Sequence, residues 1–196
     1  MGNKTRIMIE GTVVAALALA LSLIPVSIGS SFSISLGMIP LVIYAFRRGF
    51  KPAILAAFIW GLLHFPTGQV YYLSVVQVLI EYPIAFTFAG FAGLYADKVQ
   101  QALLVQDQKT ARVAIVEGTL VGTVARYFWH FVAGVAFWGS YALWGLNPWI
   151  FSFVMNGLSG LATALVTIVI TVIIAEKMPS LFLPKDEKFS VKKVNQ

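Results

Sequence analysis

The sequence predicts an all-α polytopic membrane protein, a six-transmembrane-helix bundle with both termini cytoplasmic. Two observations predict it. Of 196 residues, 59% are hydrophobic and 11% are charged, against about 25% charged in a soluble domain. A soluble fold of this length has too little interior for so much apolar surface. The second observation is that the few charges alternate between occupied and empty loops.

Six apolar segments are read, at about 6–28, 34–46, 52–65, 71–95, 112–138 and 149–176. The first, fourth, fifth and sixth exceed the ~20 residues that cross hydrocarbon. The second and third hold 13 and 14 residues, about 20 Å of helix. These two are tilted, or bounded by loops that dip into the membrane where protein covers them. Segment one has the basic start and small-residue triplet Ala18-Leu19-Ala20 of a secretory signal. Glu10 interrupts it, however, and the rest of the chain is itself membrane-spanning, so it is read as the first span. The chain is taken as one membrane domain, 1–183, with a basic cytoplasmic tail, 184–196. Residues 97–111 are read as an amphipathic cytoplasmic connector.

Charge sets the orientation. Lys4 and Arg6 precede segment one. Arg47, Arg48 and Lys51 separate two from three. Lys98, Lys109 and Arg112 separate four from five, and Lys177, Lys185, Lys188, Lys192 and Lys193 follow six. The opposite loops, 26–33, 66–70 and 139–148, carry no charge. The positive-inside rule then puts both termini in the cytoplasm. The net charge of +6 is thus an orientation signal rather than a nucleic-acid surface. Trp138, Tyr141, Trp144 and Trp149 cluster at the outer end of segments five and six, as an aromatic belt does.

Polar residues inside the spans carry the functional reading. A carboxylate in hydrocarbon costs roughly 2.5 kcal/mol or more, so Glu81 in "IEYPIAF" needs a reason. Counted down ideal helices from the outer rim, Glu81 lies roughly 15 Å deep, His130 roughly 12 Å, Asn156 roughly 10 Å and Arg126 roughly 18 Å. Arg126, His130, Gly134 and Trp138 form one stripe on segment five, Ser74, Gln77 and Glu81 one on segment four, and Ser152, Asn156 and Ser159 one on segment six. Two readings fit. In one, Glu81 and Arg126 are an ion pair locking two helices, with His130 and Asn156 as interhelical hydrogen-bond partners. In the other, the stripes line a polar pocket open to the outside. There a glycine beside an indole suits a flat ring, and the carboxylate suits a cation that also stacks on Trp138. Pro83 removes a backbone donor and frees the Leu79 carbonyl, which predicts a kink. Thr12, Ala16 and Ala20 make a small-residue face on segment one that suits close helix approach, within the chain or with a partner.

Several chemistries lack their residues. There is no cysteine and there are only two histidines, His64 and His130, so no Cys-based metal site exists. No G-x-x-x-x-G-K-[ST] phosphate loop occurs. "GLSG" around Ser159 has the G-x-S-G form of the rhomboid intramembrane serine proteases, with His130 as the conceivable base. It lies in the last span, with no histidine after it.

"SLIP", "RRGFKP", "WGLLHFPTG", "LSVVQVLIEY", "RYFWHFVAGVAFWGSYA" and "MNGLSG" together resemble one family. It is the thiamine-specific substrate-binding (S) component of the energy-coupling factor (ECF) vitamin transporters of bacteria. The resemblance runs from about Ile9 to Leu183. It implies a non-enzymatic protein of the bacterial cell membrane with six helices, an outer lid loop between helices one and two, and thiamine held by helices four to six. By the same resemblance Glu81 pairs with the ligand's charge and amino group. Tyr82 and His130 give hydrogen bonds and ring contact, Gly134 leaves room, Trp138 stacks, Asn156 bonds the pyrimidine edge and Tyr71 lines the pocket. Two positions depart from the family pattern. Phe151 stands where a tyrosine is expected, and Ser31, beside Phe32, stands where the lid tryptophan is expected. The implied partners are a transmembrane coupling (T) protein, docked on Thr12, Ala16 and Ala20, and two cytoplasmic ATPase subunits. No cofactor is implied. The alternatives are an S component for another vitamin or cationic heterocycle, and the Ser159 protease.

Overall fold

A computed structural model of the protein describes residues 2–28 and 32–184. Six helices organise them: α1 (Asn3–Ser22), α2 (Met38–Arg48), α3 (Phe50–Leu63), α4 (Val75–Leu104), α5 (Gln108–Phe137) and α6 (Pro148–Lys177). Four of them, α1, α4, α5 and α6, are long and apolar enough to cross a membrane. The two short helices fall where the short segments do. Ser31 and residues 185–196, most of the expected tail, lie outside the described residues.

Segment one ends earlier than its hydropathy suggests. Pro25 has no N–H and biases its predecessor away from helix, and α1 stops at Ser22. The chain then forms a two-stranded antiparallel hairpin, β1 (Ser27–Ile28) and β2 (Phe32–Ser33), with Ile28 opposite Phe32. β2 lies on α6. At the opposite end, Gly49 joins α2 to α3 with φ of 80°, a conformation that a side chain disfavours.

The short α2 is the centre of the bundle. Met38, Leu41, Val42, Ala45 and Phe46 are wholly buried, against α1, α3, α4 and α6. Protein rather than lipid therefore surrounds it, and an 11-residue helix need not span. Its last carbonyls are satisfied in a dry setting: Gln100 Nε2 donates to Phe46 O at 2.7 Å and to Arg47 O at 2.9 Å.

The expected amphipathic connector at 97–111 is mostly helix continuing from α4, with Val99, Ala102 and Leu103 buried. Residues Ala96–Leu104 extend it, and a short turn leads to α5. Asp107 caps α5, accepting from Thr110 N at 3.0 Å and Thr110 Oγ1 at 2.6 Å. Those bonds hold its carboxyl below the usual range.

The charged end is laced together. Glu10, the residue that interrupts segment one, receives Arg48 Nε at 2.7 Å and Arg48 Nη2 at 2.9 Å. Arg47 and Arg6 also reach it, at 3.2 and 3.3 Å. Arg47 Nη1 donates to the carbonyls of Ser180, Leu181 and Leu183, tying the segment after α6 to α2.

Candidate functional site

Near the uncharged end, α4 departs from regular helix. Pro83 has no N–H to give the Leu79 carbonyl, and the backbone answers with a π turn over Ile80–Ile84 rather than a simple kink. Glu81, Tyr82 and Pro83 all sit on this turn. A wide turn changes the angle between successive side chains, so Glu81 and Tyr82 do not project as ideal helical spacing suggests. Thr87 Oγ1 donates to Pro83 O at 2.6 Å and secures the turn from below.

Glu81 is held by neutral donors. Trp138 Nε1 donates to its Oε1 at 2.6 Å, and Gln77 Nε2 donates to Oε2. Gln77 is wholly buried; it also donates to Tyr71 O and accepts from Leu73 N. The Tyr82 hydroxyl accepts from Tyr71 N at 2.9 Å. Residues 71–73 precede the helix, so their backbone N–H groups are free to make these bonds. Trp138 thereby leaves the aromatic belt and turns inward. Tyr141, Trp144 and Trp149 remain more than half exposed, as a belt requires.

The ion-pair reading is overturned. Arg126 Nη1 donates to Ser35 Oγ at 2.8 Å. Its guanidinium lies 4.1 Å from the Phe86 ring centroid, 4.9 Å from Trp60 and 5.4 Å from Tyr127. No carboxylate pairs with it among the described residues. The physical reason is rotation. Trp138 and Gln77 take both Glu81 oxygens, and Arg126 turns toward α3 and the segment after the hairpin.

The ring side chains form a continuous set beside these charges. Tyr82 stacks on Phe86 at 6.1 Å and 17°, His130 meets Phe86 at 6.0 Å and Tyr127 at 5.5 Å, and Trp138 meets Tyr141 at 5.5 Å. His130 contributes ring contacts here and no hydrogen bond among the described residues. Phe86 and Tyr127 lie inside the stretches IEYPIAF and RYFWHFVAGVAFWGSYA without standing out there, and Ser35 lies in none. Phe86 has a weak signal, because it falls four residues after Tyr82 on one face. Ser35 carries no local signal at all.

The stripe on α6 joins from the other side. Asn156 Nδ2 donates to Ser152 O and Ser152 Oγ, both at 3.1 Å, and Ser152 Oγ donates to Phe131 O at 2.9 Å. The space that Gly134 leaves is occupied by Ser152: a Cβ at Gly134 would meet its Oγ at 2.2 Å. Close approach of α5 and α6 therefore accounts for this glycine. Phe151 is buried and contacts Trp144 at 5.9 Å.

The hairpin is moored to α6. Ser33 N donates to Ser159 Oγ and Ser35 N donates to Thr163 Oγ1, both at 3.1 Å. Thr163 Oγ1 also bonds the Tyr127 hydroxyl at 2.9 Å. Ser159, the conceivable nucleophile, is thus a buried acceptor for the loop backbone, with no bond to His130 among the described residues. Phe32 is half-buried on β2. On α1, Gly11, Ala15 and Ala18 face the bundle, whereas Thr12, Ala16 and Ala20 are exposed. The small-residue stripe is not the intramolecular packing face.

Residues 8–183 match the family described as thiamine transporter protein. The chain is 40% identical over 191 residues to the thiamine transporter ThiT of Lacticaseibacillus paracasei, covering 95% of each. It is 30% identical over 152 residues to thiamine transporter ThiT of Bacillus subtilis, covering 76% of this chain and 79% of that one. A solved structure of ThiT from Listeria monocytogenes superposes with a TM-score of 0.92 at 48% identity, covering 93% of this chain and all of that one.

Proposed function

This chain belongs to the thiamine transporter protein family, and from that premise we propose that it captures thiamine at the outer face as the substrate-binding component of an ECF transporter. The observation that carries the site assignment is the state of Glu81. Its two oxygens are held by an indole and an amide, so the negative charge has hydrogen bonds but no countercharge among the described residues. Thiamine brings a fixed thiazolium charge and a flat aminopyrimidine. The cation completes Glu81, and desolvation in the bundle strengthens that attraction. Trp138 is already at the carboxylate and offers its ring face. Tyr82, His130 and Asn156 supply rings and polar edges, Tyr71 and Phe151 border the set, and the hairpin that carries Phe32 covers it. Gly134 serves by bringing Ser152 and Asn156 close.

Intrinsic tryptophan fluorescence of the purified protein, titrated with thiamine, tests this. Saturable quenching is expected, with affinity weakened in Glu81→Gln by about 2–4 kcal/mol, the scale for unpairing a buried charge. Unchanged affinity in the variant removes Glu81 from the site.

The energy comes from partner ATPases through a coupling protein that docks on Thr12, Ala16 and Ala20. Their exposure beside a separate intramolecular face supports this. Ala16→Trp is expected to abolish thiamine uptake by cells and to leave binding by purified protein intact. Normal uptake would move the docking face elsewhere.

A further inference from the structure

Away from the substrate site, a groove of about 340 Å³ opens between α1 and α3 at the charged end of the bundle. Ile7, Met8, Leu55 and Ile59 wall it, and Lys4 and Lys51 stand at its rim. Tyr44 closes its inner side by packing on the bare backbone of Gly11. A Cβ there would meet the Tyr44 hydroxyl at 2.8 Å, and that hydroxyl is fixed by its bond to Ile7 O at 2.8 Å. From Lys4 to Gly11, and from Lys51 to Ile59, the groove descends roughly 10–12 Å along the two helices.

Its charge is unspent. The neighbouring arginines, Arg6, Arg47 and Arg48, all converge on Glu10. Lys4 and Lys51 are exposed and have no ion pair among the described residues. Both helices also begin here without a side-chain cap and without an acidic residue in the first turn. Two positive helix ends therefore add, at one rim, to two ammonium groups that are unpaired among the described residues.

A cationic rim over an apolar trough, at the first turns of α1 and α3, fits an amphiphile with an anionic head. We propose that the groove binds an anionic phospholipid of the cytoplasmic leaflet. Its phosphate lies between Lys4 and Lys51, and an acyl chain follows Met8 and Leu55 toward Ile59. A free anion would use the lysines but leave Met8 and Leu55 uncovered, at 61% and 46% exposed. An apolar helix would cover those residues but bring nothing to the lysines. Met8 lies one turn before Thr12 on the same face of α1, so the lipid sits at the foot of the exposed small-residue stripe.

Native mass spectrometry of the full chain, released from micelles holding equal phosphatidylglycerol and phosphatidylcholine, tests this. One phosphatidylglycerol is expected to stay bound in preference to phosphatidylcholine. Combined Lys4→Gln and Lys51→Gln should lower its retention roughly tenfold. Lys98→Gln, whose lysine is paired with Glu117, should not. Equal retention of the two lipids, or retention indifferent to the double variant, overturns the proposal. In Met8→Trp, phosphatidylglycerol with brominated acyl chains should quench the added tryptophan more than brominated phosphatidylcholine does. Equal quenching also overturns it. A thiamine titration of each variant checks that it is folded.

Discussion

The protein places glutamate among arginines at one end of its bundle and keeps them apart at the other. At the charged end, Glu10 receives both a forked pair of bonds from Arg48 and single bonds from Arg47 and Arg6. The Arg48 side chain is wholly buried there. At the uncharged end, Glu81 has an indole and an amide, and Arg126 has a hydroxyl and three ring faces. The first arrangement is electrostatically closed and ties α1, α2 and the segment after α6 together. The second is satisfied in hydrogen bonds but open in charge. A cation entering the first would have to displace an arginine. A cation entering the second only adds to what is there. On the proposed function, the difference separates a structural carboxylate from a receptive one, although the two residue types are the same.

The comparison can be broken most severely at Glu10. Glu10→Ala leaves Arg48 buried without its countercharge, and a loss of about 3–5 kcal/mol is expected, read as a lower thermal midpoint in detergent. Thiamine affinity of the fraction that remains folded should not change. Glu81→Gln should do the reverse, keeping the thermal midpoint while weakening thiamine by about 2–4 kcal/mol. A variant of either residue that moved both readouts equally would erase the distinction. Gly134→Ala sharpens the boundary between packing and binding. The added methyl collides with Ser152 Oγ, and overpacking of this kind costs about 1–3 kcal/mol. The thermal midpoint should fall, with affinity following as Asn156 is displaced. The smallest effect belongs to Lys98→Ala. Its pair with Glu117 is exposed, and loss of such a pair changes stability by under about 1 kcal/mol. A larger fall would mean that the charged end is held together by more than Glu10.

Much of the site was legible because its signals are local. Gln77 and Glu81 fall four apart, as do Arg126, His130, Gly134 and Trp138, and helical spacing alone groups them. The depth count placed them at one level. It could not say that Trp138 rather than Arg126 reaches Glu81. Helix spacing fixes which residues share a face but not the rotation of one helix against the next. Gly134 illustrates the same limit. The sequence shows a missing side chain, and only the neighbouring α6 shows that Ser152 fills the space.

The sequence by itself determined that this is a membrane protein, where its long and short apolar helices lie, and which polar residues share a level. Those properties derive from composition and period, which are written along the chain. Tertiary structure decided the rest. It made α2 a central helix shielded by protein, closed Glu10 with three arginines and left Glu81 without one. Each of these depends on what stands opposite in space, and in a helical bundle opposite residues are dozens of positions apart in sequence.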